Sequence, residues 1–213
     1  WYEQGGAKLY RDALEKHNLY HLGVTPVSGE HIWSKVPLNS VTDLKGLKIR
    51  SGGVASRSFA ELGASPVSMG GGDVYQGLQR GVVDAAEWTT LTVNYGFGLH
   101  EVTKYVIAPS YSGGATYDWV VNLEAWNALP DNLKNIVKAA LQEVGFSYWM
   151  KVKSEETVTF QKLRDAGIEI IEWSDADMRA LEEARMKVVA EVLTEGAPEY
   201  AAVLKDQFRF LET

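Results

Sequence analysis

The stretch of sequence that decides the fold runs over residues 44–88 and reads LKGLKIRSGGVASRSFAELGASPVSMGGGDVYQGLQRGVVDAAEW. Short apolar segments predict strands at residues 47–50, 66–69 and 82–88. Helices are predicted between them, one opening at Gly53 and ending at Gly63, the other capped by Asp73 and ending at Gly81. This alternation predicts an α/β fold with a mainly parallel sheet, whose binding edge lies at the carboxyl ends of the strands.

The remainder of the chain is predicted to be mostly helical. Residues 26–37 have the composition of a loop, and an apolar stripe from Leu133 to Val152 predicts one buried face on a long helix. A further strand at residues 116–122 is almost continuously apolar, which predicts burial on both of its faces. The other predicted elements are a helix at 2–18, strands at 105–108 and 168–173, the long helix at 131–166, a helix capped by Ser174 and a short helix from Pro198.

Composition excludes several classes of function. The chain has 213 residues, of which 46% are hydrophobic and 23% charged, as in ordinary globular domains. A formal charge of −7 with scattered bases argues against a nucleic-acid surface. The sequence contains no cysteine, which excludes disulfides, thiolate zinc sites and a cysteine nucleophile. No apolar run approaches the roughly 18 residues that a membrane-spanning helix needs.

Arg50 is the sharpest single feature of the sequence. It ends a predicted strand, Gly52 and Gly53 follow it, and the next helix directs its positive N-terminus at the same place. A guanidinium also matches a carboxylate in a two-bond geometry. The position therefore predicts a site for a small carboxylate, the alternative being a surface arginine paired with an acid.

Glu87 and Trp88 end a later strand of the same predicted sheet. An acid that faces an anionic ligand needs either a cation between them or a ligand hydroxyl to bind. Trp88 would then supply an apolar wall, and the hydroxyl-rich loop SYSGGAT at residues 110–116 would line the same cleft. The alternatives are a half-buried edge carboxylate beside a core tryptophan, and a plain surface turn.

Other motifs give no support to nucleotide, metal or hydrolytic chemistry. The glycines at 70–72 lack the Lys-Ser/Thr of a P-loop and the order of a dinucleotide fingerprint. His17 and His21 have helical metal-pair spacing, but no H-E-x-x-H motif contains them, and a solvated pair is predicted. No G-x-S-x-G nucleophile elbow occurs.

Four stretches, SVTDLKGLKIRSGG, ELGASPVSMGGGDVYQGLQRGVVDAAEW, WNALPDNLKNIVKAA and PEYAAVLKDQFRFLE, resemble one family. It is the DctP-type solute-binding subunit of the tripartite ATP-independent periplasmic (TRAP) transporters. The resemblance implies a two-lobed, periplasmic-binding-protein-like α/β fold and a periplasmic location. It also implies capture of a small organic acid and its delivery to the membrane subunits of the transporter, with no chemistry performed. The residue that matches Arg50 pairs with the ligand carboxylate in this family.

The pair Glu87 and Trp88 is similar to the subgroup that binds 2-oxo or 2-hydroxy monocarboxylates. Some of its members bind through a cation, so Glu87 is predicted to accept either a ligand hydroxyl or a cation, with Tyr111 and Ser112 lining the site. The sequence departs from that subgroup in two places: the acid expected before Gly113 is Ser112, and the upstream glutamine falls near Gly29 or Glu30. A cation bridging the ligand and Glu87, or a direct hydrogen bond from Ser112, are the two alternatives, and no other cofactor is expected.

Family members usually carry a further segment ahead of the position of Trp1, so most of the first lobe is expected to be missing from this chain. The resemblance assigns residues 1–85 to the second lobe and 86–125 to crossing strands that pack with the first lobe. Residues 126–213 then form a long bridging helix, a return strand and C-terminal helices, and a monomer is expected. The competing interpretation is a small α/β enzyme that acts on a carboxylate substrate with Glu87 as general base.

Overall fold

A computed structural model describes residues 6–112, 114–195, 198, 201–203 and 205 of the protein. The described residues form strands β1 (Leu19–Ser28), β2 (Trp33–Ser34), β3 (Lys48–Arg50), β4 (Ser65–Val67), β5 (Ala85–Ala86), β6 (Tyr105–Ala108), β7 (Gly114–Asn122) and β8 (Glu169–Glu172). Their helices are α1 (Gly6–Glu15), α2 (Gly53–Glu61), α3 (Val74–Gln79), α4 (Leu91–Gly96), α5 (Leu99–Val102), α6 (Leu123–Ala128), α7 (Asp131–Asp165) and α8 (Asp175–Glu195). Most of the short helix predicted from Pro198 lies outside the described residues.

A six-stranded sheet contains the strands that the sequence placed around the candidate site. Its order is β4-β3-β5-β2-β6-β8. β3 runs parallel to both β4 and β5, and β6 runs parallel to β8, whereas β2 is antiparallel to its two neighbours. The predicted alternation of parallel strands and helices over residues 44–88 is therefore confirmed, with β5 shorter than expected.

Helices cover both faces of this sheet. Successive strand residues point to opposite sides, so apolar side chains on each face pack against helices. On one face Ile49 and Ile107 pack in an apolar cluster with Phe59 of α2 and Leu181 of α8. The other face has a second cluster, which includes Val106, Leu78 of α3 and Leu163 of α7. Burying one such side chain contributes roughly 1.5 to 3 kcal/mol, so the two clusters hold the strand ends in place.

The chain divides into two units by its contacts. Unit 1 comprises Trp1–Pro26, Thr116–Trp149 and Ala190–Thr213, and unit 2 comprises Val27–Ala115 and Met150–Val189. Unit 2 contains the six-stranded sheet, and β1 and β7 form a separate two-stranded sheet. The predicted division at residues 1–85, 86–125 and 126–213 stays a prediction.

Two strands were missed from the sequence. β1 was not predicted at all, and β2 lies inside the segment that was predicted to be a loop. The prediction failed at β1 because His21, Gly23 and Pro26 interrupt the alternation of apolar and polar residues that marks a strand. β2 has only two residues, which is too few for any periodicity.

The expected burial of β7 on both faces was wrong, since Tyr117, Trp119 and Val120 are exposed. A continuous apolar strand is buried when helices cover both sides of a larger sheet, but among the described residues β7 pairs only with β1. The predicted stripe on α7 was also wrong in its first half, where Leu133 is 41% and Val144 is 54% exposed.

The buried side chains of α7 that follow a helical spacing lie toward its C-terminal end. Val152, Thr159 and Leu163 follow one another at helical spacings of seven and four residues, and all three are buried. The helix itself was predicted correctly, since it extends over 35 residues and ends before Gly167, whose φ is +77°. Only glycine adopts such an angle without strain, which explains the end of the helix.

The two predicted helix caps differ in outcome. Ser174 caps α8 as expected, because the Asp177 N–H donates to its Oγ over 3.2 Å. Asp73 occupies the N-cap position of α3 as predicted, but its side chain makes no capping hydrogen bond.

The two histidines at positions 17 and 21 do not share a helix. His21 lies on β1 and is fully buried, with Nε2 3.1 Å from Asp118 Oδ1, so it is not solvated as predicted.

None of the described helices combines the length and apolar character that crossing a membrane requires.

Candidate ligand-binding site

The register of the sheet brings Arg50 and Glu87 together. Arg50 is the last residue of β3 and lies opposite Ala86 of the parallel strand β5, so Glu87 follows directly at the same edge. The Glu87 N–H donates to the Arg50 carbonyl oxygen over 3.0 Å. Both residues belong to unit 2, and they lie at the carboxyl ends of their strands as the sequence predicted.

The Arg50 guanidinium is held by main-chain oxygens. Nη1 donates to the Glu87 carbonyl oxygen over 2.7 Å, while Nε and Nη2 donate to the Met69 carbonyl oxygen over 3.3 and 3.2 Å. Of the five guanidinium N–H groups, one on each terminal nitrogen has no acceptor in the described part of the chain. The half-buried cation thus keeps two donors and a positive charge that no carboxylate within ion-pair distance neutralises among the described residues.

A second cluster of polar groups surrounds the hydroxyl of Tyr111. This hydroxyl lies 2.7 Å from Glu30 Oε2 and 3.2 Å from Glu87 Oε2. Glu87 Oε1 accepts a further hydrogen bond from Ser51 Oγ over 3.3 Å. Because a phenol has one hydrogen to donate, Tyr111 satisfies only one carboxylate at a time unless the other carries a proton.

Burial changes the acidity of both carboxyl groups. Glu87 is 5% exposed, and this burial, with the nearby negative charge of Glu30, raises its pKa to about 7 despite the opposing effect of Arg50. Burial also raises the pKa of Glu30 above its ordinary value, against the hydrogen bond from Tyr111. Below about pH 7 Glu87 therefore retains its proton, because two adjacent buried carboxylates repel each other.

Trp88 lies against the main chain of the glycine loop. An added Cβ at Gly71 would come within 2.3 Å of the indole carbon Cζ2 of Trp88. The Phe97 ring also packs against the tryptophan, with the two ring centroids 4.7 Å apart. The loop at 70–72, which lacks the features of a phosphate loop, thus provides at Gly71 the space in which Trp88 lies.

Ser112 and Tyr111 are fastened to the segment that contains Glu30. Ser112 Oγ accepts a hydrogen bond from the Glu30 N–H over 2.9 Å, and the Tyr111 N–H donates to the Glu30 carbonyl oxygen over 2.9 Å. The Tyr111 ring also packs against Phe59. Ser112 therefore positions Glu30, and it retains one hydroxyl hydrogen to donate elsewhere.

The structure brings together four of the predicted residues, Arg50, Glu87, Tyr111 and Ser112, and shows that Glu30 belongs with them. Sequence reasoning missed Glu30 as a site residue because it lies in a segment predicted to be a loop. Its only signal was the position of the upstream glutamine in the resembling family, which falls near Gly29 or Glu30.

The raised pKa of Glu87 predicts a stability that falls with rising pH. Between pH 4.5 and about 7 the folded protein keeps a proton that the unfolded chain has released, so unfolding becomes easier as pH rises. The loss amounts to about 3 kcal/mol, since one pKa unit corresponds to about 1.4 kcal/mol. The raised pKa of Glu30 likewise lowers the stability as pH rises. Urea unfolding at pH 5 and pH 8 measures how much the free energy of unfolding falls with pH.

The variant Glu87→Gln is expected to flatten this slope, since an amide does not titrate. Glu172→Gln is the matched control because Glu172 is exposed on β8. A slope that is equally steep in both variants would contradict the assignment to Glu87.

The sequence model of the bacterial extracellular solute-binding proteins, family 7, named DctP, matches residues 1–195. The chain therefore belongs to the DctP family, as the sequence motifs predicted, and this is a family of solute-binding proteins of transport systems.

Two curated relatives illustrate the similarity. The chain is 31% identical over 171 residues to a monocarboxylate 2-oxoacid-binding periplasmic protein of Nostoc sp., with 80% of this chain and 46% of that protein covered. It is 30% identical over 205 residues to the C4-dicarboxylate-binding periplasmic protein DctP of Rhodobacter capsulatus, with 94% and 61% covered. The chain thus spans about half the length of the curated relatives that it matches.

Solved structures confirm the predicted fold class. A TRAP periplasmic solute-binding protein of Colwellia psychrerythraea with bound calcium and pyruvate matches with a TM-score of 0.83 and 25% identity, covering 97% of this chain and 66% of that chain. Another, of Pseudoalteromonas atlantica with bound sodium and pyruvate, matches with a TM-score of 0.82 and 26% identity, covering 97% and 65%.

The site contains oxygen donors of the kind that such a cation requires. The carboxylates of Glu30 and Glu87 are hard oxygen donors of the kind that calcium and sodium prefer. Among the described residues no group of three or more histidine, aspartate or glutamate side chains could hold a metal. The described residues therefore offer two carboxylate donors here, Glu30 and Glu87, and a cation would need further oxygen ligands from the main chain or the bound acid.

Proposed function

We propose that the protein is a periplasmic solute-binding protein that captures a small organic acid for a TRAP transporter. The observation that carries the proposal is the Arg50 guanidinium, which is fixed by the Met69 and Glu87 carbonyl oxygens and has two N–H groups left to donate. A fixed guanidinium with adjacent free donors binds a carboxylate through two parallel hydrogen bonds. The relatives named periplasmic and the DctP family support the location and the transport role.

The proposed ligand is a 2-oxo or 2-hydroxy monocarboxylate. Its carboxylate binds Arg50, and its neighbouring oxygen lies toward the carboxyl group of Glu87 and the hydroxyl of Tyr111. A protonated Glu87 donates to a 2-oxo oxygen, whereas an ionised Glu87 accepts from a 2-hydroxyl group. Trp88 provides the apolar surface for the rest of the ligand, and Ser112 provides a further hydroxyl donor.

A cation between Glu87 and the ligand is the alternative way to join these two groups of like charge. It would neutralise the repulsion between the ionised carboxylate and an electron-rich ligand oxygen. Structures of the relatives that hold calcium or sodium with pyruvate favour this alternative.

An enzyme that uses Glu87 as general base is the competing function. The observation that favours it is the pKa of about 7 for Glu87, which is the range that general bases need at neutral pH. Against it, the family model that matches residues 1–195 is one of solute-binding proteins. We therefore expect binding without turnover.

Isothermal titration calorimetry with pyruvate and lactate tests the proposal, with and without EDTA. We expect saturable binding of at least one acid at a single site, accompanied by a change in tryptophan fluorescence. Loss of binding in EDTA identifies a calcium-bridged form, and loss of binding when potassium replaces all sodium in the buffer and ligand salts identifies a sodium-bridged form. Consumption of the acid over hours, followed by proton NMR, would overturn the binding function in favour of the enzyme.

A further inference from the structure

Glu30 is fixed in the site by three separate contacts. Its N–H donates to Ser112 Oγ over 2.9 Å, its carbonyl oxygen accepts from the Tyr111 N–H over 2.9 Å, and its Oε2 accepts from the Tyr111 hydroxyl over 2.7 Å. The segment is also joined to Thr90 by an isolated antiparallel bridge. The direction of the Glu30 carboxylate is thus set by the fold rather than by a flexible side chain.

We infer that Glu30 is a specificity-determining residue that restricts the ligand to a single carboxylate group. With Glu87 it places two acidic groups on either side of the Tyr111 hydroxyl, next to the one guanidinium that binds the ligand. A short dicarboxylate would bring its second negative charge toward these acids. The inference rests on the proposed function and names the class of acid that the same site rejects.

The cations around the site determine whether a second ligand carboxylate can be accommodated. Arg50 is balanced by the first carboxylate of a ligand, so a second carboxylate needs another cation. Arg185 is the other arginine near Tyr111, with its guanidinium carbon 6.0 Å from the ring centroid, but Glu182 pairs with it over 3.0 Å. Arg185 also donates to the Tyr111 carbonyl oxygen, which directs it to the main chain rather than to the carboxyl groups.

His31, the next residue after Glu30, already has polar partners on both ring nitrogens. Its Nδ1 lies 2.9 Å from the Ile107 carbonyl oxygen, and its Nε2 lies 3.8 Å from Glu156 Oε1. Lys153 pairs with the same Glu156 over 3.2 Å. Lys153 and Arg185 are therefore already paired, and a second ligand carboxylate would meet the negative charges of Glu30 and Glu87 without a compensating charge from either of them.

The substitution Glu30→Gln isolates the charge from the shape of the side chain. Glutamine keeps an oxygen that can accept from the Tyr111 hydroxyl, and it removes one negative charge while adding an N–H donor. Glu172→Gln is the control, because it makes the same chemical change at an exposed position of β8.

The experiment measures the affinities of the purified protein for pyruvate and lactate against those for malonate, malate and succinate by calorimetry at pH 8. We expect the wild type to prefer the monocarboxylates, and Glu30→Gln to reduce that preference by at least about tenfold, while Glu172→Gln leaves it unchanged. Repeating the wild-type titrations in EDTA and in sodium-free potassium buffer separates the contribution of a cation from that of Glu30.

Three results would overturn the inference. They are equal affinity of the wild type for both classes of acid, an unchanged preference in Glu30→Gln, or a preference that disappears in EDTA. These results differ from a failure of the proposed function, in which the wild type binds none of the acids. The wild-type preference tests the inference even if the variant does not fold.

Discussion

Replacing Arg50 by alanine is expected to weaken carboxylate binding by about 2 to 5 kcal/mol, the usual cost of breaking a buried, hydrogen-bonded charge pair. The physical reason is that Arg50 supplies the positive charge at this end of the site and two N–H donors that match a carboxylate. Calorimetric titration with the best-binding acid measures the loss. Circular dichroism and urea unfolding show whether the variant remains folded.

Two further variants are measured in the same titration. Arg50→Lys keeps the charge but has no planar fork, so an affinity between those of the wild type and the alanine variant is expected. Arg80→Ala removes an exposed arginine at the end of α3 and serves as the matched control. Unchanged affinity in Arg50→Ala would remove Arg50 from the site.

The substitution Gly71→Ala is expected to displace Trp88. An added methyl group would lie 2.3 Å from the indole carbon Cζ2 and 2.6 Å from Cε2, far inside van der Waals contact, so the ring must move. Overpacking of this kind costs about 1 to 3 kcal/mol of folding free energy. We expect a lower urea midpoint, an altered tryptophan emission spectrum and weaker ligand binding.

Gly72→Ala is the control for this substitution. A Cβ at Gly72 meets no atom within 4 Å, and neither Gly71 nor Gly72 has a positive φ, so the two variants differ in the contact with Trp88 rather than in backbone strain. Equal effects on emission and stability in the two variants would show that Trp88 does not lie against Gly71.

The part of the fold that follows local patterns could be predicted from the sequence. The strand–helix alternation around Arg50, the 35-residue helix α7 and the cap at Ser174 depend on neighbouring residues, and each is present. β1 and β2 were missed because their extended conformation depends on pairing with distant strands. The exposure of Trp119 was missed because periodicity reports which residues are apolar, not what covers them.

For the site, sequence position was sufficient where a residue ends a parallel strand. Arg50 and Glu87 meet because register in adjacent parallel strands is fixed by the sheet. The contacts of Tyr111 and Ser112 with Glu30 join residues that are 81 and 82 positions apart, and no local motif encodes such contacts. The role of Gly71 was hidden for the same reason, since it depends on where the indole of Trp88 lies.

The main-chain hydrogen bonds of Arg50 also affect the entropy of ligand capture. A flexible arginine loses about 0.5 to 1.5 kcal/mol of rotamer freedom when a ligand immobilises it. Here the Met69 and Glu87 carbonyl oxygens already hold the guanidinium, so folding rather than binding imposes that loss. Under the proposed function the arginine is thus preorganised as a rigid template for the carboxylate of the ligand.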